Sequence, residues 1–254
     1  MNNKATLVFL ALIITFSFTH CSKKKNTSKN DKSSVIDTTR IEKFKDYYPS
    51  GNLKSEGQFS NKQKTGEWIS YYEDGTQESI RNYKNNVLDG YQKIDYSQVL
   101  CMEGYYKDGI KIGTWKSYFK SNKNLKYLKH FDDNGKATGE WKSYYDSGEL
   151  INVENYSNGT PNGKQIEYFK NGNISKIGEK QNGKENGVWK YYYDNGILRC
   201  EREFKNGVDN GKYVQYFKNS KIYKIGTKQN FKKIGTWKTF DKQGKLVETI
   251  SYEN

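Results

Sequence analysis

From Tyr47 onward apolar and polar residues alternate with a period of two, and the alternation is itself repeated. Trp68, Ser70 and Tyr72 fall on one side of a strand, with Glu67, Ile69 and Tyr71 on the other. In the companion segment Leu53, Ser55, Gly57 and Phe59 share a face, opposite Asn52, Lys54, Glu56 and Gln58. Outside the first twenty-one residues no stretch has helical spacing. The pattern predicts strands joined by turns and nothing else.

Units start at an aromatic pair: Tyr47-Tyr48, Tyr71-Tyr72, Tyr118-Phe119, Tyr144-Tyr145, Tyr168-Phe169, Tyr192-Tyr193 and Tyr216-Phe217. A degenerate unit begins at Ile94 and a remnant at Phe240, so the spacing is 23 to 26 residues throughout. A period in this range marks an array. Each of the eight full units carries a glycine near its end: Gly66, Gly90, Gly113, Gly139, Gly163, Gly187, Gly211 and Gly235. These are expected to be turn glycines with positive φ, which only glycine adopts without steric cost. Two residues later comes Trp68, Trp115, Trp141, Trp189 or Trp237, replaced by Tyr213 in one unit and by Gln92 and Gln165 in two. A second turn follows the aromatic pair, at Asp74-Gly75, Ser147-Gly148, Asn171-Gly172 and Asn195-Gly196. Each unit is thus a β-hairpin. A hairpin alone is marginal, but stacked neighbours bury a continuous aromatic row. The expected fold is all-β: an elongated, single-layer antiparallel meander of about eight hairpins over residues 47–254, roughly 80 Å long at about 4.8 Å per strand.

Composition sharpens this picture. Hydrophobic residues make up 33% of the 254, against 22 Tyr, 12 Phe and 5 Trp, so a thin aromatic core replaces a thick aliphatic one. A mean hydropathy of -1.04 leans toward disorder, but disordered chains are poor in aromatics. Cys101 and Cys200 fall in distant units, roughly 40 Å apart at the same strand spacing, and are expected to stay unpaired.

The chain opens differently. Met1 to Lys4 is short and basic, and Ala5 to Phe18 is apolar. Fourteen helical residues span about 21 Å, too few for the roughly 30 Å hydrocarbon layer, so residues 1–20 read as an export signal. A cysteine stands where the apolar run ends, which resembles a bacterial lipoprotein signal. That resemblance implies cleavage before Cys21 and a lipid on its side chain, although Phe18-Thr19-His20 departs from the usual residues. Residues 21–46 then read as a basic, flexible tether. Ser22 to Asp46 holds eight basic and four acidic side chains, and such a cluster beside a lipid strengthens attachment to anionic headgroups.

The recurring Y-Y-x-x-G-x-L ending in G-x-W, as in YYPSGNLKSEGQFSNKQKTGEW and YYDSGELINVENYSNGTPNGKQ, resembles the bacterial variant of the MORN repeat found in YwqK-type proteins. The resemblance implies antitoxin or immunity roles, or protein-binding and membrane-associated scaffolding.

Catalysis is not expected. With His20 in the signal, His130 stands alone, which removes multi-histidine zinc sites and leaves little for Ser-His-Asp chemistry. Asp132-Asp133-Asn134-Gly135 is half of a calcium loop, but Lys136 stands where a ligand oxygen is needed, so a turn is the better reading. No cofactor or metal is expected. The repeats carry a net +9 spread evenly, and nucleic acid is an improbable partner for an exported protein. The leading expectation is a non-enzymatic, extracytoplasmic, membrane-anchored protein whose array binds a protein partner, a toxin among the candidates. The alternative is envelope glycan or lipid-headgroup binding through the aromatic rows. Candidate recognition residues are Trp68, Trp115, Trp141, Trp189, Tyr213 and Trp237, although rows of this kind more often form the core that holds such a sheet together.

Overall fold

The computed structural model describes residues 40–96 and 100–253. The expected export signal, the expected lipidation site Cys21 and residues 21–39 of the expected tether lie outside the described residues. The first six strands are β1 (Ile41–Tyr47), β2 (Leu53–Ser60), β3 (Gln63–Tyr71), β4 (Gln77–Lys84), β5 (Val87–Tyr96) and β6 (Leu100–Lys107). Then come β7 (Ile110–Phe119), β8 (Leu125–Phe131), β9 (Ala137–Tyr144), β10 (Leu150–Ser157), β11 (Thr160–Tyr168) and β12 (Ile174–Gln181). The last are β13 (Lys184–Tyr192), β14 (Leu198–Lys205), β15 (Val208–Tyr216), β16 (Ile222–Gln229), β17 (Lys232–Phe240) and β18 (Leu246–Tyr252). Every strand pairs antiparallel with the next in sequence, from β1–β2 to β17–β18. The result is one open sheet, the meander that the repeat predicts. Short connections leave antiparallel neighbours as the available pairing.

Two turn types alternate. Two-residue turns join the strands of one kind of hairpin, with both central residues at positive φ: Asn61-Lys62 (49° and 63°), Asn158-Gly159 (50° and 83°) and Asn206-Gly207 (53° and 84°) among them. Asparagine and glycine tolerate that region, which matches the right-handed twist of the flanking strands. The other hairpins close through longer turns after the aromatic pair. There the Gly75 N–H donates to the Tyr72 carbonyl and the Tyr72 N–H donates to the Thr76 carbonyl, and the same pairs recur at Gly172 and Gly196.

Two expectations need correction. The eight unit glycines do adopt positive φ, from 59° at Gly235 to 132° at Gly211, but they sit inside strands and not in the hairpin turns. Each belongs to a bulge in which three residues oppose one. In β2–β3, Glu56 faces Ile69 and Gln58 faces Thr65, so Gly66, Glu67 and Trp68 oppose Gly57 alone. The turn itself lies earlier, at Asn61-Lys62, because Asn-rich dipeptides meet the tight-turn geometry and the glycine is required where the strand must buckle. The segment expected to be a tether as far as residue 46 is not one at its end: Ile41–Asp46 belongs to β1, where Phe44 packs 5.3 Å from Trp68 and 5.4 Å from Phe59. The eight full units and the remnant together give nine strand pairs, with β1 and β18 both in the sheet.

Cys101 and Cys200 are buried free thiols, as the array spacing requires.

Candidate functional site

The bulges align one register level across the whole sheet. Trp68 faces Arg81, Arg81 faces Gln92, and Gln92 faces Gly104. The level continues from Trp115 to Lys129, from Trp141 to Glu154, and from Glu154 through Gln165 to Gly178. It ends with Trp189 opposite Arg202, Arg202 opposite Tyr213, Tyr213 opposite Gly226, and Trp237 opposite Ile250. Residues directly opposite in an antiparallel pair share a face, so one row crosses β3 to β18.

Within the row each indole lies against the strand before it. A methyl added at Gly57, Gly104, Gly178 or Gly226 would come within 2.2 to 2.4 Å of the ring of Trp68, Trp115, Trp189 or Trp237. The four indoles are 1% to 6% exposed. Each indole N–H donates to the carbonyl one residue beyond the glycine, at Gln58, Tyr105, Glu179 and Thr227, over 3.1 to 3.3 Å. A lysine closes the free side: Lys64 lies 4.1 Å from the Trp68 ring, Lys111 4.3 Å from Trp115, Lys176 4.4 Å from Trp189 and Lys233 4.9 Å from Trp237. Glycine below, carbonyl at the edge and ammonium above leave no ring face for a sugar or headgroup. These four of the expected recognition residues are core.

Trp141 differs because Lys129, not glycine, precedes it. It is half-buried, with its N–H on the His130 carbonyl at 2.9 Å and its ring 4.4 Å from Tyr156. His130 itself is a satisfied strand histidine, its Nδ1 3.0 Å from the Thr114 hydroxyl.

Units without tryptophan solve the bulge another way. Where Gln92, Gln165 or Tyr213 fills the slot, the residue facing it is charged: Arg81, Glu154 or Arg202. Here the bulge is tied from across the strand. The Asn82 amide donates to the Tyr91 carbonyl, the Asn155 amide to the Lys164 carbonyl, and the Lys212 N–H to the Glu203 carboxylate. Glu154 is paired with Lys180 at 2.8 Å and accepts from the Tyr156 hydroxyl. Arg202 meets Asp209, which is 0% exposed. Charges thus interrupt the aromatic row at fixed places.

Five segments match the MORN repeat variant. They cover residues 43–61, 64–85, 137–158, 185–206 and 233–254, so matching segments lie toward both ends of the array and in its middle. No curated protein matches the chain. Among solved structures, the Tc holotoxin pore of Photorhabdus luminescens carrying TccC3-D651A is 11% identical over 79% of this chain, with a TM-score of 0.16. The complex TcdB2-TccC3-Cdc42 is 11% identical over 82%, with a TM-score of 0.17. This chain spans 13% of the length of either.

A second device recurs along the array. The first tyrosine of the aromatic pair donates to a glutamate fifteen residues earlier: Tyr71 to Glu56 at 2.9 Å, Tyr118 to Glu103 at 2.6 Å and Tyr216 to Glu201 at 3.0 Å. Glu103 also accepts from Tyr91 at 2.8 Å. The Tyr118 hydrogen bond, with burial opposing and Tyr91 assisting, holds the Glu103 carboxyl below its ordinary range. Burial, then the Glu201 hydrogen bond, pushes Tyr216 up to about 12. The second aromatic of the pair reaches the next unit instead: the Tyr48 hydroxyl donates to the Tyr71 carbonyl at 2.8 Å and Tyr193 to the Tyr216 carbonyl at 3.2 Å.

The sequence reading missed the row glycines, the lysine caps and the Arg202–Asp209 pair. A signal for the first was present: a glycine stands eleven residues before every tryptophan except Trp141. Among the described residues no three His, Cys, Asp or Glu side chains are grouped to hold a metal ion.

Proposed function

We propose that the protein is a non-enzymatic repeat scaffold that binds another protein, acting as a scaffold or an immunity factor. In this reading the array faces the extracytoplasmic side of a bacterial membrane, held there by a lipid on Cys21 and by the basic residues that follow it. The observation that carries the reading is the row. Its tryptophans are consumed in holding the sheet together, while charged and polar side chains recur across the strands beside them. Such an array offers contact area and regular spacing in place of reactive groups, which suits a binding surface. MORN repeats serve as repeat scaffolds, in keeping with this role.

Crosslinking in growing cells followed by purification of the full chain tests it. A discrete protein crosslinked to the array is expected, and a lone species across several growth conditions would refute the reading. Incorporation of labelled palmitate, lost in Cys21→Ser, is the expected result for the anchor. Equal labelling of the two chains would remove it.

A further inference from the structure

The unit in which Tyr213 replaces tryptophan and Arg202 replaces glycine leaves a solvent-open cavity of about 340 Å³ between β14, β15 and β16. Arg199, Cys200, Arg202, Tyr213, Gln215 and Lys228 line it. Where its neighbours are filled by an indole packed on glycine, this unit has neither, and the space is left to polar side chains.

Their chemistry is one-sided. Asp209, fully buried, takes hydrogen bonds on one oxygen, Oδ2: from Arg202 Nε at 3.1 Å, Arg202 Nη2 at 2.6 Å and Lys228 Nζ at 2.7 Å. Its Oδ1 has no hydrogen-bond partner among the described residues. The two cations are therefore pinned in place before any ligand arrives, and such preorganisation removes part of the ordering cost of binding. Arg202 is held from the side as well, its guanidinium carbon 4.9 Å from the Phe204 ring, and Lys228 sits 5.0 Å from the Tyr213 ring. Arg199 is exposed and makes no ion pair among the described residues. The Tyr213 hydroxyl donates to Gln215 Oε1 at 3.2 Å, which leaves the Gln215 amide free to donate. Three cations against one carboxylate leave an excess of two positive charges around a donor-rich, acceptor-poor space.

We propose that this cavity is an oxyanion pocket that receives the acidic side chain of the protein partner. The pocket rests on the protein-binding reading above and adds the chemistry of its ligand. Asp209 already shows how Arg202 and Lys228 grip a carboxylate, and Arg199 supplies the open guanidinium fork suited to a second. The volume is about ten times the share of one liquid water, roughly 30 Å³, so it admits a side chain with its backbone and not just a small ion.

The test is calorimetric titration of the full chain with an end-capped hexaglutamate peptide and, separately, with inorganic phosphate, at low and at physiological salt. The wild type is expected to bind the peptide. Arg199→Gln should weaken binding at least tenfold, and Gln215→Ala by a few-fold, without change in the melting temperature. Lys242→Gln, the same charge change at a distant exposed turn, should alter binding less than twofold. Equal weakening by Arg199→Gln and Lys242→Gln would reduce the effect to overall charge and overturn the pocket. Absence of peptide binding at low salt would overturn it as well, and phosphate binding without peptide binding would overturn the assignment to an acidic side chain. A crosslinked partner retained equally by the wild type and Arg199→Gln would sink the pocket while leaving the protein-binding reading intact. Peptide binding with no crosslinked protein would do the reverse.

Discussion

At the scale of single residues, glycine plays two separate parts in this sheet. Gly187 adopts a φ of 71° with nothing within 4 Å of an added methyl, so it is there for its backbone. Gly178 has an ordinary backbone, but a methyl would come within 2.2 Å of the Trp189 ring, so it is there for its emptiness. Each substitution to alanine is expected to destabilise, Gly187→Ala by about 1–2 kcal/mol through strain and Gly178→Ala by about 1–3 kcal/mol through overpacking. Urea unfolding of the double variants separates the causes. Trp189→Val should relieve most of the cost of Gly178→Ala and none of the cost of Gly187→Ala. Additivity in both cycles would show that the indole does not define the glycine's role. The sequence made the first kind of glycine plain through its position in every unit. The second kind was obscured because its reason lies on a ring eleven residues away, across a bulge.

At the scale of the strand pair, the tyrosine–glutamate bonds tie one strand to the next and make the sheet sensitive to pH at both ends. Glu103 is held below its ordinary value in the fold, so its contribution is present above the unfolded value of about 4.5 and is lost as pH falls through the folded one. Thermal melts from pH 6 to pH 3 should therefore drop less steeply for Glu103→Gln than for the wild type. Tyr118→Phe, which removes a hydrogen bond to a charged group, should cost about 1.5 kcal/mol at pH 7. Tyr216 has the opposite sign. Its folded value is raised, so its contribution is whole below the ordinary value of 10.0 and is lost as pH rises toward about 12. The melting temperature of Tyr216→Phe should fall less between pH 10 and pH 12 than that of the wild type, and parallel curves would deny the phenol this role. The alternation of strands was legible in the sequence because period two is a local property. Which tyrosine meets which glutamate was not, since the three-against-one bulges shift the register within each pair.

At the scale of the whole sheet, β1 and β18 are the two edge strands, each with one partner among the described residues. Each unit touches only its neighbours, so stability is the sum of unit and interface terms, and the ends, with one neighbour each, are the weakest. Hydrogen exchange should be fastest in β1 and β18 and slowest in the central strands β8 to β11. Uniform protection would indicate an all-or-none fold. The last strand also leaves Leu246 48%, Val247 65% and Ile250 39% exposed beside a row of unpaired backbone groups. Such an edge invites pairing with another copy. Sedimentation velocity over a concentration series is expected to show association that Val247→Lys reduces, with stability changed by less than about 0.5 kcal/mol. The folded region as a whole was nearly legible from the repeat. Its first strand was not, because Ile41–Asp46 carries the charge of a tether, and it is the ladder with β2 and the packing of Phe44 on Phe59 and Trp68 that draw it into the sheet.

What the chain determines by itself is everything periodic: strands, their number to within one pair, their order, and positive φ at one glycine per unit. These follow from local alternation and from the steric limits of single residues. Only the tertiary structure decides what becomes of the tryptophan slot. Three residues against one at each bulge bring a glycine, a lysine and an indole from separate segments into one stack, and so turn expected recognition residues into core. The same geometry brings Arg202, Asp209 and Lys228 together from three strands, where packing and Coulomb forces act across distances that a linear pattern does not record.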